Sequence, residues 1–180
     1  MKRVNFIILS ISFAFIFLFS GLNISKASTE PKATEPITMV NLAKELIQQD
    51  IIHWKVVLAQ AIVETGWNFD SYLFKNSNNL VGMRVPATRP SARIGEFKGY
   101  SKYATWQDCI KDIKYWQAQN WKGGTRDEYI DLMQRIWAES PDYRAFLYMV
   151  IGRIDKMLAQ FREKHRNHFN YNVIMAYVQE

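Results

Sequence analysis

The apolar positions change period several times along the chain, and each change predicts an element. Met39, Leu42, Ala43, Leu46 and Ile47 recur at i, i+3, i+4, i+7 and i+8, one buried face of a helix. From Trp54 to Thr65 the pattern becomes almost continuously apolar, with Val57, Leu58, Ala61 and Ile62. That predicts a buried helix ended by Gly66 as its C′ residue. The period is lost between Asn68 and Arg93, where Asn76, Asn78, Asn79, Gly82, Pro86 and Pro90 predict a loop with room for one helical turn. Ile94, Glu96 and Lys98 then alternate with Gly95 and Phe97, Gly99 turns the chain, and Tyr100 to Tyr103 return, which predicts a small β-hairpin.

Three further helices have legible starts. Thr105 with Asp108 resembles a capping box, with Asp in place of the longer Glu, ahead of Ile110, Ile113 and Trp116 or Gln117. Gly123-Gly124 breaks the chain, and Thr125 with Glu128 forms a full capping box before Tyr129, Leu132, Met133, Ile136 and Trp137. Ser140 as N-cap and Pro141 as first helical residue predict a last helix, whose stripe of Phe146, Leu147, Val150, Ile151, Ile154 and Leu158 runs to about Phe161. The tail beyond Glu163 is basic and then briefly apolar from Val173 to Val178, and its pattern assigns no element. With no internal repeat, the pattern predicts a compact, mainly α domain with a hairpin near its middle.

The N-terminal segment is of a different kind. Lys2 and Arg3 precede a run from Phe6 to Phe19 that is apolar apart from Ser10 and Ser12, and Ser25-Lys26-Ala27 places small residues at a cleavage site. Residues 1–27 therefore read as a signal peptide, with the serines and the cleavage site favouring removal over an uncleaved anchor. Ser28, Thr29, Pro31, Thr34 and Pro36 make 28–36 a polar linker, leaving 37–163 as the domain and 164–180 as a tail able to pack on it. The expectation is an exported protein of the periplasm, cell envelope or extracellular space, monomeric and without stable membrane insertion after cleavage. Loss of Lys2, Arg3 and Lys26 lowers the formal net charge from +6 to +3, too weak to argue for nucleic acid. Cys109 is the only cysteine, so no intrachain disulfide forms and the domain must stand on its core. Aromatic residues make up a high 14% of the chain; some should be core, and the tryptophans and tyrosines also suit a groove that stacks sugar rings.

Glu64 is the acid with chemical interest, because it ends an apolar run in the last turn of the second helix. Partial burial and the negative end of the helix dipole both oppose its charge and raise its pKa. A carboxylic acid still protonated near neutral pH can protonate the leaving oxygen of a glycosidic bond. Position alone nevertheless favours a helix-end glutamate reaching solvent. No metal site is expected: His165 and His168 have H-x-x-H spacing in a polar tail without a nearby cysteine, and His53 stands apart. Cys109, on an apolar helical stripe, reads as an inert core thiol, and no G-x-S-x-G elbow occurs.

The segment from Leu58 to Trp67 (LAQAIVETGW), followed by Asn78-Asn79-Leu80-Val81-Gly82-Met83-Arg84, resembles the glucosaminidase domain of glycoside hydrolase family 73. The resemblance continues through Tyr103-Ala104-Thr105-Trp106 and the stretch from Trp137 to Tyr143, and covers about residues 38–160. It implies a lysozyme-like helical domain with a small β-hairpin lobe over the active-site cleft, cleavage of peptidoglycan glycan strands, and no cofactor or metal. Glu64 matches the family's catalytic glutamate, Tyr103 a tyrosine lining the cleft, and Tyr143 the second tyrosine of the later motif. In that motif Trp137 stands for the usual first tyrosine and Ser140 for an aspartate, so a sugar contact from that tyrosine's hydroxyl is in doubt. Trp67 and Asn79 flank the acid in motif order and are further substrate-binding candidates, Asn79 equally as a turn residue. Glu96, on the hairpin, is the candidate second carboxylate, weighed evenly against a solvent-facing strand charge and against assistance from the substrate's own N-acetyl group.

The resemblance therefore implies an endo-β-N-acetylglucosaminidase with Glu64 as general acid. A muramidase or lytic transglycosylase on the same fold is the nearest alternative. A non-catalytic peptidoglycan-binding or scaffold protein is the alternative of another class.

Overall fold

The computed structural model describes residues 36–138 and 140–165, so the expected signal segment, all of the linker but Pro36, and the tail from residue 166 lie outside what is described. The order of elements is α1 (Met39–Gln48), α2 (Trp54–Thr65), α3 (Tyr72–Ser77), β1 (Gly95–Phe97), β2 (Tyr100–Lys102), α4 (Trp106–Asn120), α5 (Arg126–Ile136) and α6 (Tyr143–His165). The fold is mainly helical with one two-stranded sheet.

The centre is α2, because its composition leaves it no polar face: nine of its twelve residues are buried. Helices α1 and α6 pack against it, and α5 packs on α6. From α1 come Leu42 and Leu46, and from α6 Leu147 and Ile154, all without solvent exposure; burying each contributes about 1.5–3 kcal/mol. The starts of α4 and α5 follow their capping boxes. The Thr105 N–H donates to Asp108 Oδ2 at 3.1 Å and the Asp108 N–H donates to Thr105 Oγ1 at 3.2 Å. The equivalent bonds between Thr125 and Glu128 are 2.7 and 3.3 Å. Aspartate is thus long enough to close the first box.

The hairpin pairs Phe97 with Tyr100 across a two-residue turn, Lys98 (φ 52°) and Gly99 (φ 81°). Positive φ at both central residues belongs to the turn type whose twist matches the flanking strands, and glycine in the second position removes half of its steric cost. The preceding loop adds a short pairing on the other edge of β2: the Ser101 N–H donates to the Met83 carbonyl at 2.9 Å, and Arg84 bridges Tyr100.

Four expectations shift. Gly66 is the C-cap rather than the C′ residue, its N–H donating to the Ile62 carbonyl at 2.8 Å. Ser140 and Pro141 do not begin α6; Ser140 accepts from the Asp142 N–H through Oγ and from the Tyr143 N–H through its carbonyl, making a turn ahead of a helix that starts at Tyr143 and runs to His165 rather than Phe161. Phe146 is 44% exposed, since it lies one residue, about 100° of rotation, off the stripe through Leu147, Val150, Ile151 and Ile154. Ile136 lies in line with the buried stripe of α5 but is 51% exposed, because in the last turn it borders a cleft instead of the core.

Candidate active site

A cleft of about 790 Å³ opens where the C-terminal end of α2 meets the Gly82–Arg89 loop, the Tyr100 strand, α4 and the α5–α6 connection. Glu64 stands in its wall. The side chain reaches water, yet protein surrounds the carboxyl closely enough that lost hydration raises its pKa above the ordinary value. The Tyr143 hydroxyl, 3.3 Å from Glu64 Oε1, donates to the ionised form and lowers the pKa, a smaller effect. Tyr143 is buried, and burial together with the neighbouring carboxyl pushes its phenol far above the ordinary range, so it stays a neutral donor.

Backbone geometry brings the cleft wall close to the acid. Gly82 has φ +67°, and a β-carbon placed there would lie 3.8 Å from Glu64 Oε2 and 3.9 Å from Tyr100 Cε1. The carboxyl and the Tyr100 ring therefore flank one glycine, where a side chain would take both strain and room from a ligand. Trp137 also lines the cleft. Its indole N–H donates to the Val81 carbonyl at 2.6 Å, and its ring meets Trp116 edge to face, centroids 5.0 Å apart. The tryptophan thus holds the Gly82 loop against the end of α5 and borders the cleft, while its only side-chain donor is already engaged.

The other expected site residues fall elsewhere. Tyr103 is 1% exposed and its hydroxyl donates to Asp112 Oδ2 at 2.6 Å, so it belongs to the core and not to the cleft surface. Asn79 is also 1% exposed. Its Nδ2 donates to the carbonyls of Met83 and Ser101, both at 2.9 Å, and its Oδ1 accepts from the Met83 N–H at 2.9 Å. That amide is a staple between loop and strand, with no group left facing a sugar. Its neighbour Asn78 ends α3 in the left-handed conformation and donates to the carbonyls of Tyr103 and Ala104. Trp67 is 37% exposed beyond the end of α2 and does not line the cleft. Glu96 is exposed on β1, accepts from the Gly99 N–H at 3.2 Å, and likewise stands outside the lining. Of the seven candidates the cleft brings together Glu64, Trp137 and Tyr143.

Several positions in and behind the cleft are not among the residues expected from the sequence. Arg84, Tyr100 and Trp116 line the cleft. Behind the loop, Asp112 is fully buried and held by both guanidinium nitrogens of Arg89 at 2.7 and 3.0 Å, by the Tyr103 hydroxyl, and by the Ala92 N–H at 3.2 Å. Burial alone would raise its pKa, but the Arg89 and Tyr103 hydrogen bonds more than offset that and lower it. The signal was present: Asp112 falls three residues after Cys109 on the inward face of α4, where an unpaired acid would be very costly. Cys109 is itself fully buried, with its thiol pushed up to about 12 by burial. Among the described residues no group of three His, Cys, Asp or Glu side chains is arranged to hold a metal ion, and no helix is long and apolar enough to cross a membrane.

Comparison with known proteins adds a family. The model of the family described as "Glucosaminidase: Mannosyl-glycoprotein endo-beta-N-acetylglucosaminidase" matches residues 40–156. Protein bax of Escherichia coli (strain K12) is 36% identical over 61 residues, 34% of this chain and 22% of that protein, so the match spans about a fifth of the relative's length. Among solved structures, the catalytic domain of the autolysin Auto from Listeria monocytogenes is 19% identical, with a TM-score of 0.47 over 65% of this chain and 82% of that one.

Proposed function

The chain belongs to the glucosaminidase family, and from that premise we propose that it is an exported endo-β-N-acetylglucosaminidase that hydrolyses β-1,4 bonds of peptidoglycan glycan strands with Glu64 as general acid. The observation that carries the reading is Glu64 itself, a carboxyl in the wall of a cleft lined by aromatic rings, with its pKa raised by burial and a neutral tyrosine donor beside it. The basic and apolar N-terminal segment supports export.

Glu64 is the only carboxyl among the described residues lining the cleft. The route that fits this arrangement uses the substrate's own acetamido group in place of a second protein carboxylate. Glu64 gives its proton to the leaving O4 while the acetamido oxygen attacks C1 and the C1–O4 bond breaks, forming a cyclic oxazolinium. Water then adds at C1, the ring opens, and the released proton returns to the Glu64 carboxylate. Tyr143 stabilises that carboxylate between the two steps by donating to it. The same lone carboxyl favours one second reading, a lytic transglycosylase in which a hydroxyl of the sugar attacks C1 instead of water.

The test is digestion of purified sacculi. Wild-type protein should release soluble fragments with N-acetylglucosamine at their reducing ends, and Glu64→Gln should lower that rate by at least about a thousandfold. Anhydro ends would establish the transglycosylase, and N-acetylmuramic acid ends a muramidase. Binding to sacculi without any release over a broad pH range would make the protein a wall-binding module. Undiminished release by Glu64→Gln would remove Glu64 from its role.

A further inference from the structure

Three charged side chains stand among the described residues lining the cleft: Glu64, Arg84 and Arg89. Glu64 is the proposed acid, and Arg89 is bound on both nitrogens by Asp112. Arg84 is different. It is exposed, and its guanidinium carbon lies 4.2 Å from the centroid of the Tyr100 ring. Stacking on a ring holds the planar group in place while leaving its N–H donors open. No described acid forms an ion pair with it. Nor is it paired with the proposed acid, since no ion pair joins Arg84 to Glu64.

The mount beneath Arg84 is rigid. Its backbone bridges Tyr100, its carbonyl accepts from Ser101 Oγ at 3.1 Å, and the hairpin turn at Gly99 passes beside Nη1, which a β-carbon there would approach to 3.7 Å. A ring-stacked guanidinium whose donors meet no partner among the described residues, set in a substrate cleft, is matched to a planar anion, above all a carboxylate taken in bidentate fashion. Neutral chitin-type glycans carry no such group. Peptidoglycan carries one on alternate sugars, either as the free lactyl carboxylate or, when the lactyl arm bears a peptide, on that peptide.

We propose that Arg84 is the specificity-determining residue of the cleft, binding the carboxylate on the lactyl arm or its peptide and so selecting peptidoglycan over uncharged N-acetylglucosamine polymers. The inference rests on the glycan-hydrolase reading above for its substrate class, but it is read out by binding and needs no turnover. The experiment compares Glu64→Gln with the double variant Glu64→Gln/Arg84→Gln, each first shown to melt at the same temperature. Three soluble probes of equal sugar number are titrated: glycan strands with peptides, strands freed of peptides, and a chitooligosaccharide. The expected result is about a tenfold weaker Kd for the double variant on at least one carboxylate-bearing probe and less than about a twofold change on the chitooligosaccharide. The loss should shrink at high salt, as an exposed charge contact must, and Arg84→Lys should restore part of it.

Loss on peptide-free strands assigns the lactyl carboxylate, and loss confined to peptide-bearing strands assigns the peptide. Equal loss on all three probes, or none on any, overturns the proposal. Arg84-dependent binding without release of sugar by the wild-type protein would sink the catalytic reading alone and leave carboxylate recognition standing.

Discussion

Glu64 and Tyr143 lie 79 residues apart in sequence and meet at 3.3 Å in the cleft. Their coupling has a sign. A general acid works in its protonated form, so under the proposed mechanism activity is present below the folded pKa of Glu64 and is lost as pH rises through it. Burial moves that limit upward toward neutral pH, and the tyrosine, by favouring the ionised form, pulls it part of the way back. Tyr143→Phe should therefore shift the basic limb of the kcat–pH profile to higher pH while lowering kcat about tenfold, through lost stabilisation of the carboxylate formed during reaction. A basic limb that moves to lower pH would contradict this geometry. The stability consequence has the same sign. A carboxyl whose folded pKa is raised binds its proton more tightly in the native state, so the fold loses stability as pH rises from the ordinary pKa through the raised one. Glu64→Gln should accordingly leave the melting temperature at pH 7 unchanged or slightly higher, and a clear fall in calorimetry would mark Glu64 as structural.

At the scale of elements, the loop from Gly82 to Arg93 is held by contacts that its sequence pattern does not reveal. It has no regular structure of its own and is tied down by Asn79, by the Trp137 indole and by the buried Arg89–Asp112 pair. Removing one partner of a buried ion pair costs about 3–5 kcal/mol. Asp112→Asn should lose about that much in denaturant unfolding and should also weaken substrate binding, since the cleft wall loses its anchor. A variant as stable as wild type would show the pair to be dispensable. The pKa of Asp112 is lowered in the fold, so its contribution is present above the ordinary value and is lost as pH falls through the folded one.

The helices were legible because periodicity and caps are local: α2 keeps its expected bounds, and both capping boxes close as expected. The cleft was legible only where a motif residue also faces it, as Glu64, Trp137 and Tyr143 do. Asn79 and Tyr103 belong to the same motifs but are turned inward, because a polar side chain in a tight loop or just after a strand can be retained for the hydrogen bonds that hold the fold together. Period and spacing do not distinguish these two uses. Arg84 was missed for the opposite reason, since its meaning depends on a ring sixteen residues away in the hairpin and on the acids that are not beside it.

Across the whole molecule, the cleft divides a helical body that carries Glu64 and Tyr143 from a hairpin that contributes Tyr100 and carries Glu96 outside the lining. If the acetamido route operates, the hairpin's role is to bind and not to supply a second carboxylate. Glu96→Gln should then retain at least about a third of wild-type kcat on sacculi, well short of the hundredfold or greater loss that removal of a nucleophile or base brings. A loss of that size would place Glu96 in the reaction and require the hairpin to close over the bound glycan. One of the places where the two parts meet is the side-chain network of Tyr103 after β2, Asp112 in α4 and Arg89 in the loop.

Cys109 makes such closure measurable. It is the only thiol in the chain, it has no solvent exposure, and burial holds it protonated at neutral pH with a pKa of about 12. Neither maleimide nor iodoacetamide has a thiolate to meet there. A cysteine introduced at exposed Lys102 is therefore a single-site attachment point in an otherwise natural background. A fluorophore or spin label on it would report how the hairpin responds when a glycan enters the cleft.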